Sequence, residues 1–382
     1  MRSITCWHLL TGEYPPQPGG VSDYTALLAA GLAGGGDEVH IWTTRAEGET
    51  LVTEGVMVHR AVHKWSPDDL LKLDNALNSF TAPRRLMIQY APNVWGYKGL
   101  NFGFCHWLLK RSEQGDDVRL MVHEPFYPWR LWDKPTRWLL AAGQRRMMQM
   151  LLKASSRVYI SIPAWELLLR PFAKSESQPM TWLPVYSTIP IVENKEAVAA
   201  TRRHIVKENQ LVIGSFGTFG GDIGRDTFEI FFKLLSKNAN IAGLLLGRGG
   251  ERVAQSLYEK NASFKNRLFA PGSLSAEEIS IHLQACDLLV QPYPDGISSR
   301  RTSAMAGIAH GLPVITKQGF LSEPIWSETN CVALSDDISG FVKIAENLLD
   351  QANERAALGE RARTTYEKYF SLSRTIRELR TD

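Results

Sequence analysis

The fold is indicated by the stretch DLLVQPYPDGISSRRTSAMAGIAHGLPVIT, Asp287 to Thr316. It opens with the apolar run Asp287 to Tyr293 and closes on a second run, Leu312 to Lys317. Short, continuously apolar runs of this kind are typical of strands buried on both faces of a parallel sheet. The residues between the runs predict first a loop and then a helix. The stretch therefore predicts the order strand, loop, helix and strand.

The loop in this stretch carries one acid and two adjacent arginines. Ser298 or Ser299 could serve as the N-cap of the following helix. Arg300 and Arg301 fall in its first turn, where the helix dipole disfavours cations. This placement makes a purely structural role for the arginines less favourable. We therefore expect an anion to be bound above this helix N-terminus, in a loop that also contains Asp295.

The same alternation of strand and helix extends along the chain in both directions. The candidate strands of the first half are Ser3–Leu10, Glu38–Thr44, Arg85–Ala91, Arg119–Pro125 and Arg157–Ile162. Those of the second half are Leu211–Gly217, Gly243–Gly247, Arg267–Gly272, Asp287–Tyr293 and Leu312–Lys317. The Pro-rich connection Trp182–Ile191 separates the two series. The pattern predicts an α/β protein with two doubly wound, Rossmann-like domains facing a central cleft, where a ligand is expected.

Composition restricts the class of protein. The chain has 382 residues, more than a single hydrophobic core usually accommodates. A formal net charge of +3 is too small to indicate nucleic-acid binding. The four cysteines show no zinc-type spacing, so we expect a reduced, cytoplasmic chain without a metal. The sequence contains neither an apolar run of about 18 residues nor a signal peptide, so no membrane span is expected.

The segment EYPPQPGGVSDYT, Glu13 to Thr25, joins the first strand to a predicted helix. Gly19 and Gly20 would let a ligand approach the backbone, and Ser22 or Asp23 is the expected N-cap. Free amides at such a helix start favour anions. A tight strand-to-helix turn explains the same residues equally well, so both interpretations stay open.

The dipeptide His123-Glu124 falls where a predicted strand ends, at the functional edge of a parallel sheet. A histidine there could donate a hydrogen bond to a substrate hydroxyl or take part in proton transfer. The alternative is a structural histidine held by a backbone carbonyl. The position favours the functional interpretation.

Two glycine-rich loops follow strands in the second half. IGSFGTFGGDIGRD, Ile213 to Asp226, contains Gly217, Thr218 and Arg225, and LLGRGG contains Arg248. Such loops present amides to phosphate, and an arginine can pair with its charge. Turns with solvated arginines are the alternative, but two such loops in one domain favour a nucleotide.

The stretch FYPWRLWDKPTRWLL, Phe126 to Leu140, is rich in tryptophan. It could lie on a membrane surface or stack on a sugar or lipid. Aromatic residues at such spacing more often fill a core or an interface.

Several of these motifs resemble one family. EYPP-x-x-GGVSDYTALLAAGLAGGGDEVHIWTT looks like the N-terminal signature of retaining, family 4-like glycosyltransferases of the GT-B fold, and the Asp287–Thr316 stretch resembles their C-terminal signature. The segments RVYISIPAWELLL and LPVYSTIP are similar to the end of the family's N-terminal domain, so the resemblance covers nearly the whole chain. It implies an acceptor-binding domain at residues 1–190, a nucleotide-sugar domain at 191–360 and a C-terminal helix, 361–382, that packs back on the first domain.

The resemblance also contains departures from the family pattern. The family has two acids in an E-x7-E pattern, where the second binds the nucleotide ribose. Asp295-Gly296 takes the first position here, and Ser303 takes the second. The family's Gly-Arg and Lys-Gly pairs correspond to Gly217-Thr218 and Ile223-Gly224, which lack both cations. The available replacements are Arg225, Arg300 and Arg301.

The resemblance implies metal-independent sugar transfer, with retention, from a UDP- or GDP-type nucleotide sugar and without a bound cofactor. The acceptor would be a sugar, a lipid-linked glycan or a small molecule in polysaccharide or glycoconjugate biosynthesis, and peripheral membrane contact is possible. The residues expected to act in catalysis are His123 and Asp295. Donor or phosphate contacts are expected from Gly19, Gly20, Gly217, Thr218, Arg225, Arg248, Gly296, Ile297, Ser298, Ser299, Arg300, Arg301 and Ser303. Acceptor-side contacts are expected from Glu13, Tyr24 and Glu124. The alternatives are the same fold with an unusual donor or acceptor chemistry, or an inactive binding or scaffold protein.

Overall fold

The computed structural model describes residues 4–45, 53–96, 98–130, 133–206 and 210–381. Leu131 and Trp132, in the tryptophan-rich stretch, lie outside the described residues. The chain divides into two compact units. The first unit contains Met1–Pro184 together with Thr375–Asp382, and the second contains Val185–Arg374.

The first unit is built on a parallel sheet of seven strands in the described residues, with the order β3-β2-β1-β4-β5-β6-β7. Its strands are β1 Cys6–Thr11, β2 Glu38–Thr44, β3 Val56–Val62, β4 Arg85–Tyr90, β5 Asp117–Val122, β6 Arg157–Ile160 and β7 Met180–Trp182. Its helices are α1 Gly20–Gly34, α2 Pro67–Leu77, α3 Phe102–Glu113, α4 Pro135–Ala154 and α5 Ala164–Leu169, followed by the 3-10 turn Arg170–Phe172.

The second unit contains a parallel sheet whose described strands have the order β10-β9-β8-β11-β12-β13. These strands are β8 Leu211–Phe216, β9 Ile241–Leu246, β10 Leu268–Phe269, β11 Leu288–Gln291, β12 Val314–Lys317 and β13 Ala333–Ser335. The helices are α6 Lys195–Ile205, α7 Gly221–Lys237, α8 Gly250–Lys260, α9 Ala276–Gln284, α10 Thr302–Ala309, α11 Ile325–Glu328, α12 Ile338–Asp350 and α13 Ala352–Tyr369, with a 3-10 turn at Ala262–Asn266. The last helix, α14 Leu372–Thr381, begins in the second unit and continues into the first. The prediction of two Rossmann-like α/β units is confirmed.

Burial explains why the central strands are continuous apolar runs. Leu86, Met87 and Ile88 in β4 are fully buried, although neighbouring side chains of a strand point to opposite faces. Helices therefore cover both faces of the sheet, as the connections of a parallel sheet require.

Helix α2 begins with a capping box, in which the side chains of Ser66 and Asp69 satisfy each other's backbone amides.

The last residues of the chain are held to the first unit by side-chain contacts. Arg380 forms an ion pair of 2.8 Å with Asp37 and donates to the carbonyl of Leu32 at 2.7 Å. Arg119 donates to the carbonyl of Leu379 at 3.3 Å. Because these contacts are buried or nearly so, they fix the end of α14 against the first sheet.

The parallel arrangement determines where the loops of interest lie. All carboxyl ends of a parallel sheet meet at one edge, which is where ligands of doubly wound folds bind. In the second unit, this carboxyl edge carries the loops after β8, β9, β11 and β12. In the first unit, it carries the loops after β1, β4 and β5. In the described part of the chain, no helix combines the length and the apolar character needed to cross a membrane.

Candidate active site

The two glycine-rich loops of the second unit pack against each other through their backbones. The amide of Gly217 donates to the Leu246 carbonyl at 3.0 Å, and the amide of Phe219 donates to the Arg248 carbonyl at 3.0 Å. Gly247 has a φ of +105°, and a Cβ there would lie 2.4 Å from the carbonyl oxygen of Gly217. Only glycine fits at position 247, so the loops after β8 and β9 form a surface of bare backbone.

The two arginines on these loops differ in whether a carboxylate already pairs with them. Arg225 has 64% of its side chain exposed and pairs with Asp222 at 2.8 Å and with Asp226 at 3.2 Å. Thr218 and Arg248 are exposed, and Arg248 forms no ion pair with any residue that the structure describes. Of the two loop arginines predicted to bind phosphate, Arg248 is therefore the one without a competing carboxylate.

The loop after β11 contains an internal ion-pair cluster. Arg300 and Arg301 both pair with the carboxylate of Asp295, and the Arg301 guanidinium lies 4.9 Å from the centre of the Tyr293 ring. Arg301 is also the N-cap residue of α10. The anion that resolves the conflict with the helix dipole is therefore Asp295. The expectation that the arginines require a bound anion is corrected accordingly.

Ser299 is a structural residue in this loop. Its amide donates to Glu323 Oε1 at 2.8 Å and its hydroxyl pairs with the same oxygen, while the indole of Trp326 donates to Glu323 Oε2 at 2.7 Å. Ser299 is fully buried, so the structure places it away from a position where the expected phosphate contact could form. Burial raises the pKa of Glu323, and these hydrogen bonds oppose the rise.

The neighbouring predicted contacts, Ile297 and Ser298, are also fully buried. The amide of Ile297 donates to the carbonyl of Lys317 at 2.9 Å, so that amide is already used inside the fold. The hydroxyl of Ser298 has no hydrogen-bond partner within the described residues. Gly296 has a φ of +87°, and a Cβ there would lie 2.4 Å from the amide nitrogen of Gly319. This part of the loop serves the packing of the chain.

Ser303 connects the start of α10 with the glycine surface. Its hydroxyl lies 2.7 Å from the Tyr293 hydroxyl, and a Cβ on Gly217 would lie 3.3 Å from Ser303 Oγ. Ser303 thus borders the loop after β8. A hydroxyl at this position offers a shorter and weaker contact than a carboxylate.

Sequence reasoning missed Lys317. It is the last residue of β12, its side chain is 23% exposed, and its Nζ lies 3.7 Å from Asp226 Oδ2. A lysine at the carboxyl end of a buried parallel strand is itself a signal, because that edge binds the ligand in this type of sheet. The sequence therefore contained the information that would have identified it.

His123 directly follows β5 at the carboxyl edge of the first sheet. Its Nε2 lies 2.9 Å from Gln89 Oε1, and its ring packs edge-on against Tyr24 at 4.7 Å. Burial lowers the pKa of His123 to about 3, so the imidazole is neutral near pH 7. With Gln89 Oε1 as the acceptor, Nε2 carries the proton and Nδ1 is the acceptor. The ring is therefore held by a side-chain amide, and its role in catalysis stays a prediction.

The start of α1 already holds a carboxylate. Glu13 Oε1 accepts from the amide of Ser22 at 3.1 Å, and a Cβ on Gly19 would lie 2.3 Å from the same oxygen. Gly19 is the N-cap, in place of the predicted Ser22 or Asp23. Burial raises the pKa of Glu13, and hydrogen bonds from helix amides oppose the rise. The helix therefore binds an anion, as its dipole favours, and the anion belongs to the chain.

The remaining predicted residues of the first unit are divided between core and surface. Tyr24 is fully buried, so the structure places it beneath His123 and not at a surface where an acceptor contact could form. Gly20 and Glu124 are exposed at the carboxyl edge. The structure thus brings His123 together with Tyr24 and Gln89, and Glu13 together with Gly19.

Several solved glycosyltransferase structures are similar to this chain over nearly its whole length. WaaG, a glycosyltransferase involved in lipopolysaccharide biosynthesis, is 17% identical, with 98% of each chain covered and a TM-score of 0.70. A glycosyltransferase from Rickettsia africae is 12% identical over 98% of this chain and 97% of that one, with a TM-score of 0.71. The chain has the GT-B fold. HepE from Anabaena, in complex with UDP and glucose, is 11% identical over 99% of this chain and 98% of that one, with a TM-score of 0.65.

The similarity in structure is not accompanied by a match in sequence to a family model or a curated protein. No protein-family model matches the chain, and a search of curated proteins finds no match either. The similarity to known proteins therefore lies in the GT-B architecture.

Proposed function

We propose that the protein is a glycosyltransferase that transfers a sugar from a nucleoside diphosphate sugar. The observation that carries the proposal is the backbone surface formed by Gly217 and Gly247 at the carboxyl edge of the second sheet, bordered by Ser303. The absence of side chains at these two glycines lets a diphosphate approach the backbone closely. The similar structure of HepE contains UDP and glucose, which supports this class of donor.

The proposed donor site neutralises the diphosphate with cations of the chain instead of a metal. Arg248 is exposed without an ion-pair partner in the described chain, and Lys317 is 3.7 Å from its nearest carboxylate. Ser303 and the N-terminus of α10 border the same loop. Oriented donors of this kind stabilise charge that develops on a leaving group. Arg300 and Arg301 hold the carboxylate of Asp295 in place. In this proposal, that carboxylate accepts hydrogen bonds from sugar hydroxyls.

The proposed reaction retains the configuration of the sugar. The bond between the anomeric carbon and the leaving phosphate oxygen breaks while a bond to the acceptor oxygen forms on the same face. The acceptor proton moves to the departing phosphate, so the protein supplies no nucleophile. His123 is neutral, so it would act as a hydrogen-bond partner for a substrate hydroxyl and not as a cationic acid.

Exposed apolar residues on the surface of the first unit favour a lipid-linked acceptor. Trp129, Trp138 and Leu139 are exposed by 62%, 44% and 74%. The exposed cations Arg130 and Lys134 lie in the same segment, and the Trp138 indole donates to the Arg130 carbonyl at 2.9 Å. Exposed aromatic residues beside cations suit an anionic membrane surface. The proposal is therefore a protein that contacts the membrane peripherally.

The second candidate is a binding protein of the same fold without catalytic activity. Two observations favour it: Asp295 is engaged by both arginines, and Glu13 occupies the start of α1. Such a protein would bind its ligands at the same carboxyl edges of the sheets without catalysing sugar transfer. The two candidates differ in what they predict for nucleotide binding and hydrolysis.

A ligand screen followed by product analysis separates the two candidates. Thermal unfolding is measured with UDP, GDP and ADP, and the sugar nucleotide of the stabilising base is then incubated with lipid-extract acceptors. We expect one nucleotide to raise the unfolding temperature and its sugar to appear on an acceptor with retained configuration. No stabilisation by any nucleotide at millimolar concentration would overturn the proposal and favour the binding protein.

A further inference from the structure

A second group of chemically active side chains lies on the first sheet, where β1 and β2 begin. Cys6 and His8 alternate along β1, and Glu38 and His40 alternate along β2. The strand register pairs Cys6 with Glu38 and His8 with His40. Because alternate residues of a strand share a face, all four side chains lie on the same face of the sheet.

Three of these side chains lie close enough together to share one metal ion. A ligand atom from each of Cys6, Glu38 and His40 lies within 4.8 Å of the other two. His40 Nε2 is 2.9 Å from Glu38 Oε1, and His40 Nδ1 is 2.9 Å from His59 Nε2. His59 therefore fixes the ring so that Nε2 faces the sulfur and the carboxylate. A partner on the second ring nitrogen is the usual support of a metal-bound histidine.

His8 supports the group without belonging to the ligands. Its Nδ1 accepts from the indole of Trp42 at 3.2 Å, so the proton of the neutral ring is on Nε2. That nitrogen lies 3.7 Å from Cys6 Sγ and can donate to the sulfur. Phe80 packs edge-on against His8 and His40 at 4.7 and 4.6 Å. The rings are thus held before any ion arrives, which lowers the cost of forming the site.

We propose that Cys6, Glu38 and His40 bind a zinc ion. A thiolate, an imidazole and a carboxylate form a ligand set that zinc accepts, whereas magnesium and calcium avoid sulfur and nitrogen. Three protein ligands leave one position of a tetrahedron open. A cavity of about 330 Å³ lined by Cys6, His8 and Glu38, and also by Arg84 and Arg85, adjoins the group and has room for a water or a small anion there.

The site is separate from the proposed sugar chemistry. Cys6 and Glu38 are the first residues of β1 and β2, whereas His123 follows the last residue of β5. In a parallel sheet, these positions belong to opposite edges. The proposed zinc therefore has no part in sugar transfer, and its test is independent of the proposed function. Its expected effect is to link β1 to β2 and stabilise the first unit.

The test uses the full chain, stripped with a chelator and titrated with zinc in a calorimeter and with Co²⁺ in a spectrophotometer. We expect one zinc per chain and a thiolate-to-cobalt charge-transfer band with the visible bands of a tetrahedral site. Cys6→Ser should remove the band. Glu38→Gln, at an exposed position, should keep the fold and weaken zinc binding. Cys331→Ser, in the second unit, is the matched control and should change neither.

His59→Gln distinguishes the supporting residue from the ligands. It should keep the charge-transfer band while weakening zinc binding about 10–100-fold, because it removes the partner of His40 Nδ1 and leaves the three ligands in place. Circular dichroism of each metal-free variant checks that the fold is retained. The proposal is overturned if the unaltered chain binds no zinc. It is also overturned if Glu38→Gln and Cys6→Ser bind zinc as tightly as Cys331→Ser does.

Discussion

The carboxylate of Asp295 is paired with Arg300, five residues further along the same loop, and shares its second oxygen with Arg301. The three side chains are between 15% and 24% exposed, so the cluster is only partly screened by water. Two cations at the start of α10 are thereby balanced by a single acid. The stability of this loop depends on that acid even when no ligand is bound.

Removal of the charge should therefore destabilise the fold. Asp295→Asn leaves two partly buried guanidinium groups at a helix N-terminus, and we expect a loss of about 1–3 kcal/mol in the free energy of unfolding. Urea denaturation measures it. The control is Asp222→Asn, which removes an exposed pair with Arg225 and should cost less than about 1 kcal/mol. Equal losses in both variants would contradict the role of Asp295.

Glycine is required at position 247. Gly247→Ala places a Cβ 2.4 Å from the Gly217 carbonyl oxygen at a φ of +105°, so we expect about 1–3 kcal/mol of destabilisation and weaker nucleotide binding. Gly34→Ala is the control, because its Cβ meets open space at the end of α1. That change should be neutral or stabilise by up to about 1 kcal/mol. The measurements are urea denaturation and calorimetric binding of UDP, and unchanged UDP affinity in Gly247→Ala would argue against a donor site at this loop.

Substitution of Lys317 should weaken the binding of a nucleoside diphosphate and leave the binding of the nucleoside unchanged. Lys317→Met removes a charge at the end of β12, and we expect UDP to bind about 1–2 kcal/mol more weakly, roughly 5–30-fold, while uridine binding stays the same. Isothermal titration with both ligands measures the difference. Lys343→Met, exposed on α12, is the control and should affect neither ligand. A parallel loss for UDP and uridine would mean that Lys317 does not contact the diphosphate.

The protonation of His123 has consequences for pH dependence. Burial lowers its pKa in the folded protein to about 3, whereas an unfolded histidine titrates near about 6.5. The unfolded chain therefore binds a proton first, and the stability contributed by the neutral ring is lost as the pH falls from about 6.5 toward 3. His8 has a similarly lowered pKa, so His123→Gln should flatten this dependence only in part.

Nuclear magnetic resonance of the imidazole nitrogens gives the direct check on His123. The ring should keep its Nε2–H tautomer from pH 8 down to about pH 4, while the fold persists. Unfolding experiments across the same range, on the unaltered chain and on His123→Gln, provide the thermodynamic counterpart. An imidazole that gains a proton near pH 6.5 in the folded protein would contradict the buried, neutral role.

The membrane contact can be tested on the exposed segment near α4. Replacing Trp138 and Leu139 together by serine should reduce co-sedimentation with vesicles that contain anionic phosphatidylglycerol. Binding should also fall with added salt, because Arg130 and Lys134 contribute electrostatically. Phe320→Ser, which alters a side chain with 82% exposure in the second unit, is the control. If that control reduces binding as much as the double variant, the membrane surface has been assigned to the wrong segment.

The sequence predicted the central strands of both sheets because these are buried on both faces, and so they are continuous apolar runs. It did not predict β3, most of whose described residues are only half-buried, or β13, which has only three residues. The last residue of the short strand β7, Trp182, is also the first residue of the predicted extended connection Trp182–Ile191, and the strand itself was not predicted. Edge strands bury less surface, so their patterns carry less information about their state.

The candidate site was predictable in position but not in contacts. The carboxyl ends of strands indicate where His123 and the glycine loops lie, because the topology fixes that edge. The pairing of Ser299 with Glu323, and the occupation of α1 by Glu13, depend on loop conformations that no residue pattern specifies. For the same reason, Cys6 and Glu38 showed no zinc spacing, since strand register brings them together from distant positions.

The contact of Arg380 with Asp37 also bears on how the chain is made. The first unit is assembled from Met1–Pro184 and Thr375–Asp382, with the whole of the second unit encoded between the two segments. Domains usually fold from the N-terminus onwards during synthesis. In this chain, a ribosome delivers every residue of the second unit before it delivers Arg380. The unit that starts first is therefore the one that is completed last, and it must wait in an unfinished state for its final helix segment.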